Sequence, residues 1–369
     1  SRAVPDTMCR AGVLFAVLAP ALAAVACRAD EPAGAPAPPG DHAVILLYHH
    51  VSEDTPPSTS VTPGTFENHL DYMADYDVVP LEQIVRAIGG EGPLPPDAVA
   101  ITFDDAYESV YTEALPRLEE RGWPFTVFAS TDYIDGNYGG YMTWEQLRDA
   151  ERRGATVGNH SRSHRHLVRR DAGESATDWR QRIAADLRHA QARLEEELDS
   201  PLHYFAYPYG EFDRELEAVV AELGFVAFGQ QSGPVGPSSD RRHLPRFPVA
   251  TVYADLDSLG DKLDSRPLPV RVLAPDGRVL AADAGPPALR LELPPGPYDR
   301  ERLRCYVSGQ EPARIDWRGD QAVIRARAPL GPGRSKFNCT VPARDEAGVY
   351  YWYSYLWIKP RNDGSWYPD

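Results

Sequence analysis

Between Asp41 and Leu263, short apolar runs alternate with longer segments whose apolar residues recur every three or four positions. Val44 to Tyr48 reads as a strand, and Thr65 to Tyr76 as a helix with Phe66, Leu70 and Met73 on one face. Val78 to Pro80 followed by Leu81 to Ile88 repeats the unit, and Gly89-Gly90 ends it. Ala98 to Phe103 pairs with a helix from about Ala106 to Arg121, stopped by Gly122; Phe125 to Ala129 pairs with Trp144 to Arg153, stopped by Gly154. Thr156-Val157, the charged helix Trp179 to Leu198, then Tyr204 to Tyr207, Arg214 to Leu223 and Phe225 to Phe228 complete the series. Strands alternating this regularly with helices predict an α/β architecture with a parallel sheet, and seven or so repeats predict closure into a (β/α) barrel over residues 41–264. After the stiff segment Ser265-Arg266-Pro267-Leu268-Pro269 the helical period vanishes. Residues 265–369 carry short alternating runs among many prolines and glycines, the pattern of an all-β module.

Composition narrows the partners. The chain is 43% hydrophobic and 25% charged, hence globular, and its 369 residues allow two domains. Its net charge is -16 and lysine occurs only at Lys262, Lys336 and Lys359, so it lacks the basic face that nucleic acid or an anionic membrane requires. Near the start, Arg10, the apolar run Ala11 to Ala26 ending in Ala24-Val25-Ala26, and the Pro/Ala-rich stretch to Gly40 read as a signal peptide over 1–26 and a linker over 27–40. Pro20 and the short length argue against a membrane span. Cys27 is the candidate for a lipid anchor, the one expected route to a membrane; simple secretion is the alternative. The expected location is therefore periplasmic, outer-membrane-anchored or secreted. Cysteine usage agrees with an oxidising compartment, because Cys305 and Cys339 remain as one candidate disulfide, the alternative being two buried thiols.

The opening strand of the third unit ends in Asp104 and Asp105, two carboxylates at a C-terminal tip, where α/β folds keep their chemistry. Alone, the pair reads equally well as a helix cap with a solvated neighbour. A second polar motif, Asn159-His160-Ser161-Arg162-Ser163-His164 with His166 beyond it, also follows a strand, which puts both motifs on one rim. Histidines at i and i+4 on a helical turn face one side and can grip a metal ion, or simply form a solvated face. Asp105, His160 and His164 together would leave an open coordination position, the catalytic pattern. A bound ion would lower the pKa of its water from about 15.7 towards 7 and polarise a carbonyl. Asp104 then remains as a general base. The Gly- and Tyr-rich stretch Asp132 to Met142 suits a substrate-lining loop as well as an ordinary surface loop.

Thr102-Phe103-Asp104-Asp105, His160-Ser161-Arg162-Ser163-His164 and Phe205-Ala206-Tyr207-Pro208-Tyr209-Gly210 resemble the first three motifs of the NodB-like polysaccharide deacetylases, carbohydrate esterase family 4. The resemblance covers roughly Asp41 to Leu263. It implies a distorted (β/α)7 barrel that removes N-acetyl, less often O-acetyl, groups from a sugar polymer with one divalent ion, Zn2+ or else Co2+ or Ni2+. It makes Asp104 the base, gives the metal to Asp105, His160 and His164, and has the Tyr209 backbone N–H donate to the oxyanion. Two departures stand out. Ala206 occupies the place where the family often has an arginine that orients the base, and Arg246 is the candidate replacement. The Leu-x-His motif that supplies the general acid is missing after Arg246, whereas Leu47-Tyr48-His49 fits it at the first strand. The barrel thus reads as circularly permuted, with His49 the acid and His50 the alternative.

Tyr48-His49-His50-Val51 and the Tyr-Pro-Tyr-Gly variant resemble the branch acting on poly-β-1,6-N-acetylglucosamine. Peptidoglycan or chitin deacetylation, and an inactive glycan-binding envelope protein, are the rival expectations. In the β module, Ala347 to Trp352 resembles the corner and sixth strand of an immunoglobulin-like domain, with Trp352 in place of the usual cysteine. Any bridge therefore joins Cys305 to Cys339, between neighbouring strands. The run Tyr350, Tyr351, Trp352, Tyr353, Tyr355 and Trp357 either packs a core or offers one face for stacking on sugars.

Overall fold

Parallel strands covered by helices are buried on both faces, and the apolar runs of the N-terminal half fold accordingly. The computed structural model describes Gly40 to Pro368; the signal-peptide and lipid-anchor readings, Cys27 included, lie outside the described residues. Eight parallel strands form one sheet: Ala43–Tyr48 (β1), Asp77–Val78 (β2), Ala98–Asp104 (β3), Phe125–Ala129 (β4), Ala155–Asn159 (β5), Tyr204–Ala206 (β6), Val226–Phe228 (β7) and Phe247–Pro248 (β8). Seven of them run in the order β8-β1-β3-β4-β5-β6-β7, while β2 pairs only with the start of β3. Leu244 bridges Phe228 in parallel and Phe247 pairs with Leu46, so the segment 244–248 carries the sheet round into a (β/α) barrel. That closing segment shows no apolar run long enough to read as a strand.

Strand parity sorts the side chains. Val44, Leu46 and Tyr48 join Val99, Ile101 and Phe103 in a core beneath the helices, with Phe66, Leu70 and Leu115. Ala43, Ile45, Ala98, Ala100, Phe128, Phe228 and Leu244 belong to a second, inner cluster. Alternation therefore carries Thr102, Asp104 and His49 to the inner face, and His50 to the other. Gly158 on β5 is required here because a Cβ would lie 2.7 Å from the Phe128 ring.

The helices begin where caps allow. Thr62 accepts from the Thr65 N–H at 3.0 Å ahead of Pro63–Tyr72, and Thr143 with Gln146 forms a capping box before Trp144–Arg152. The helix expected from Ala106 is different. Asp105 and Ala106 adopt φ of 73° and 57°, a π-helical turn spans Val110–Ala114, and the α-helix runs only over Leu115–Glu120. Pro116 has no N–H to give to the carbonyl four residues earlier, which suits a helix's first turn but not its interior.

The C-terminal region consists of two four-stranded sheets. Its strands are Arg266–Pro267 (β9), Arg271–Ala274 (β10), Ala288–Glu292 (β11), Arg304–Val307 (β12), Arg314–Arg318 (β13), Gln321–Arg325 (β14), Gly333–Pro342 (β15) and Tyr350–Lys359 (β16). One sheet runs β9-β16-β15-β12 and the other β10-β11-β14-β13. Cys305 and Cys339 are direct partners on β12 and β15 and form a disulfide, so the bridge joins neighbours within one sheet. Most of strand β16 is buried, with Tyr350 exposed and Trp352 and Tyr353 half-buried. Tyr351, Tyr355 and Trp357 fill the core between the sheets, while Leu356 and Ile358 pack with Phe205, Tyr207 and Phe212 of the barrel, and Trp352 meets Phe247 edge to face at 5.0 Å. Among the described residues, barrel and β region form one compact unit. Among the described residues no helix is long and apolar enough to cross a membrane.

Candidate active site

The chemistry-bearing residues lie at the C-terminal ends of the barrel strands. Asp104 ends β3 on the inner face with no exposed surface. The fully buried Arg246 grips it with both arms: Nη1 donates to Oδ1 at 2.7 Å and Nη2 to Oδ2 at 2.8 Å. The guanidinium is itself fixed, since Nε donates to the Gly229 carbonyl at 2.9 Å, Nη1 reaches Thr102 Oγ1 at 3.2 Å, and the Phe128 ring lies 5.3 Å beneath. Arg246 comes from the closing segment, next to β8, and so arrives from the opposite end of the domain sequence. Burial alone would push the Asp104 carboxyl up, but Arg246 and His160 overcome this and hold it below the usual carboxylate range. Asp104 is thus a fully buried carboxylate held bidentately by Arg246, with its ionised form favoured.

Asp105 belongs to the rim. Strand parity would send it outward, but its positive φ, which aspartate tolerates better than most residues, turns it back over the barrel mouth. Its Oδ1 lies 3.2 Å from His160 Nε2 and 2.9 Å from His164 Nε2, and one donor atom from each of the three side chains falls within 4.8 Å of the others. The helical turn expected to present the two histidines is absent. Residues 160–166 form a loop in which Ser161 and His164 have φ of 66° and 49°. Side-chain caps replace helical hydrogen bonds there: Asn159 Oδ1 accepts from the Ser161 N–H at 2.8 Å, and Ser161 Oγ from the His164 N–H at 2.9 Å. Burial opposes ionisation of Asp105 too, yet His160 and His164 hold it well below the usual range. Burial likewise works against a charged His160, but Asp104 and Asp105 outweigh it and raise its pKa.

This donor set fits a divalent ion. Asp105 Oδ1 and His160 Nε2 are buried without a hydrogen-bond partner, although a buried polar atom normally has one. His160 Nδ1 lies 2.8 Å from the Ala206 carbonyl and donates to it, the usual second contact of a ligating histidine, which leaves Nε2 free to present a lone pair once the ring is neutral. Two imidazoles and one carboxylate match the three-ligand catalytic sites of zinc and its neighbours.

His49 follows β1 on the inner side, within the field of Asp105, Asp104, Arg246 and His160; burial lowers its pKa against the pull of the two acids. His50 points the other way and stacks on Tyr107 at 3.5 Å, with its pKa pushed down by burial to about 4. From Tyr107 an aromatic arc continues through Tyr141 at 5.0 Å to Tyr133 at 4.6 Å and on to His164 at 6.3 Å. The Gly- and Tyr-rich stretch therefore lines the rim beside His164, and it includes a short helix, Thr131–Asp135, that periodicity did not reveal. Tyr209 sits in the turn after β6 with φ 60°, its ring 4.7 Å from that of His164. Glu211, two residues on and fully buried, was missed from sequence; a buried acid directly after the Tyr-Gly pair was the available signal.

Residues 91–228 match the family model for polysaccharide deacetylases, a span that holds Asp104, Asp105, His160, His164 and Tyr209 and leaves out His49 and Arg246. The poly-β-1,6-N-acetyl-D-glucosamine N-deacetylase of Escherichia coli K12 is 24% identical over 246 residues, covering 56% of this chain and 36% of that protein. The enzyme of the same name from Staphylococcus aureus MRSA252 is 22% identical over 212 residues, 56% of this chain and 73% of that one. Among solved structures, IcaB from Ammonifex degensii superposes with a TM-score of 0.54 at 25% identity, over 61% of this chain and 98% of the other. The Streptococcus pyogenes deacetylase PplD, in complex with acetate, shares the fold with a TM-score of 0.54 at 20% identity, over 61% of this chain and 99% of that one. Over residues 91–228 the chain is thus similar to polysaccharide deacetylases, and its barrel shares their fold.

Proposed function

We propose that this protein removes N-acetyl groups from an exported polysaccharide by metal-dependent hydrolysis, with poly-β-1,6-N-acetylglucosamine as the favoured polymer. The observation that carries the reading is the pairing of two unlike acids: an Arg246-held Asp104 in the floor, and Asp105 with His160 and His164 around one point at the rim. Asp105, His160 and His164 would hold one divalent ion, Zn2+ in the first instance. Bound there, it supplies Lewis-acid polarisation and a water made acidic enough to lose a proton near neutral pH. Asp104 would act as the base that takes a proton from the water attacking the acetamide carbonyl. The Tyr209 N–H donates to the oxygen on which negative charge develops. His49 gives a proton to the departing nitrogen, so that a free amine and acetate leave.

The polymer assignment leans on the names of the E. coli and S. aureus relatives. The aromatic arc from His50 to His164 gives hexose rings a stacking surface. Peptidoglycan or chitin-type chains would meet the same residues and are separated by a panel of acetylated oligosaccharides. Export, with anchoring at Cys27, and a circularly permuted barrel complete the reading.

The test is acetate release from a β-1,6-linked N-acetylglucosamine oligomer by the metal-loaded chain. Asp104→Asn should lower kcat by about 10²–10⁴-fold while one metal ion per chain remains bound. Near-normal release by that variant would sink the reading. Absence of metal from wild type, with no response to chelators, would favour the glycan-binding alternative.

A further inference from the structure

We propose that the C-terminal β region is part of the active site, because Arg334 and Tyr367 clamp the turn that carries Tyr209 through the buried carboxylate of Glu211. The inference rests on the role given above to the Tyr209 N–H.

A tyrosine at φ 60° holds a conformation that L side chains seldom adopt, and such a residue persists only where its surroundings fix it. The surroundings here are specific. The Tyr209 ring lies flat against His166, with centroids 3.9 Å apart and planes 4° from parallel, and the Arg334 guanidinium stands 5.3 Å from the same ring. His166 is held in turn by Glu211, whose Oε2 lies 2.7 Å from His166 Nδ1. The other oxygen of Glu211 accepts from the Tyr367 hydroxyl and from Arg334 Nη1 at 3.5 Å. The Glu211 carboxylate is fully buried and makes its contacts inside the protein, where an unpartnered polar group would be costly. Arg169 closes the set, with its guanidinium 4.7 Å from the Tyr367 ring.

Arg334 comes from β15 and Tyr367 from the segment beyond β16, so two groups that hold Glu211 lie outside the barrel. Both act on the reacting atoms only through Glu211, His166 and Tyr209, which makes them positioning residues. Their loss should loosen the turn and misaim the oxyanion donor while the Asp105–His160–His164 set stays in place.

The test uses the full metal-loaded chain with Tyr367→Phe, Arg334→Ala and the two combined, the wild type, and Asp104→Asn as a control on the reading itself. Two quantities are read: hydrogen–deuterium exchange of the Tyr207–Phe212 peptide, and kcat and KM for acetate release from the β-1,6-linked oligomer. Each single variant should speed exchange of that peptide several-fold, with the rest of the barrel unchanged, and lower kcat roughly tenfold, less than complete loss of an oxyanion donor. KM, metal content and unfolding midpoint should stay at wild-type values. Unchanged exchange in the double variant overturns the clamp whatever the activity, as does wild-type kcat in a chain whose Asp104→Asn form is inactive. A kcat loss that tracks metal loss or a lowered midpoint also overturns it. Faster exchange in a chain whose wild type releases no acetate leaves the clamp standing and removes the proposed reaction instead.

Discussion

The floor and the rim of the site stand one residue apart in sequence and are built on opposite principles. In the floor, Asp104 and Arg246 are both fully buried and satisfy each other bidentately, so charge is held where water is excluded. At the rim, Asp105, His160 and His164 crowd together and leave Asp105 Oδ1 and His160 Nε2 in ion-pair contact but without a hydrogen-bond partner. A pair that is complete does not need a ligand. A cluster that is incomplete does, and the contrast is the ground for proposing the same residue type as proton acceptor at 104 and as metal ligand at 105.

Breaking the rim should have the largest effect. His160→Ala or Asp105→Ala should abolish stoichiometric metal binding and reduce acetate release at least as far as Asp104→Asn, because both water activation and charge stabilisation go together. Metal analysis of the purified variants checks this, and a variant that stays loaded and active would merge the two regions into one. Breaking the floor should show first in stability. Arg246→Met strands a buried carboxylate and should cost about 3–5 kcal/mol of unfolding free energy. Adding Asp104→Leu to the same chain should recover most of that loss, as read by urea denaturation. Simple additivity of the two would mean that they do not act as a pair.

The smallest effect concerns pH. The His49, His50 and His69 pKa values are all lowered chiefly by burial, His50 to about 4. A group whose folded pKa is depressed contributes stability that is complete above its unfolded value, near 6.5, and is lost as pH falls towards the folded one. Unfolding midpoints should accordingly decline between pH 6.5 and 4. His50→Gln should make that decline shallower, since it removes the most clearly depressed of these groups, the one stacked on Tyr107. An unchanged slope would show that the histidines outside the ligand set do not control acid sensitivity.

Several elements were legible because their information is local. Val99, Ile101 and Phe103 alternate with smaller inner residues, and Thr143 with Gln146 caps its own helix, so each reads from a few neighbours. The metal-ligating types at 105, 160 and 164 were visible for the same reason. Their backbone was not: spacing i, i+4 implied a helical turn, whereas Asn159 and Ser161 side chains cap a loop with two positive φ angles. The aromatic run of β16 was ambiguous because alternation reveals two faces without saying what covers each; Tyr351, Tyr355 and Trp357 are buried in the core while Tyr350 stays exposed.

The sequence by itself determined the alternating α/β order, the all-β character after Ser265, and the residues able to carry acid, base and metal chemistry. These follow from periodicity and side-chain type, which neighbours in the chain set between them. Only the tertiary structure decided that Arg246 holds Asp104 across 142 residues, that His49 and not His50 faces the mouth, and that Arg334 and Tyr367 reach Glu211. Those contacts depend on how the sheet closes through residues 244–248 and on which side of the barrel the β region packs. Closure and packing come from the summed burial of many side chains, and no single stretch of sequence carries that sum.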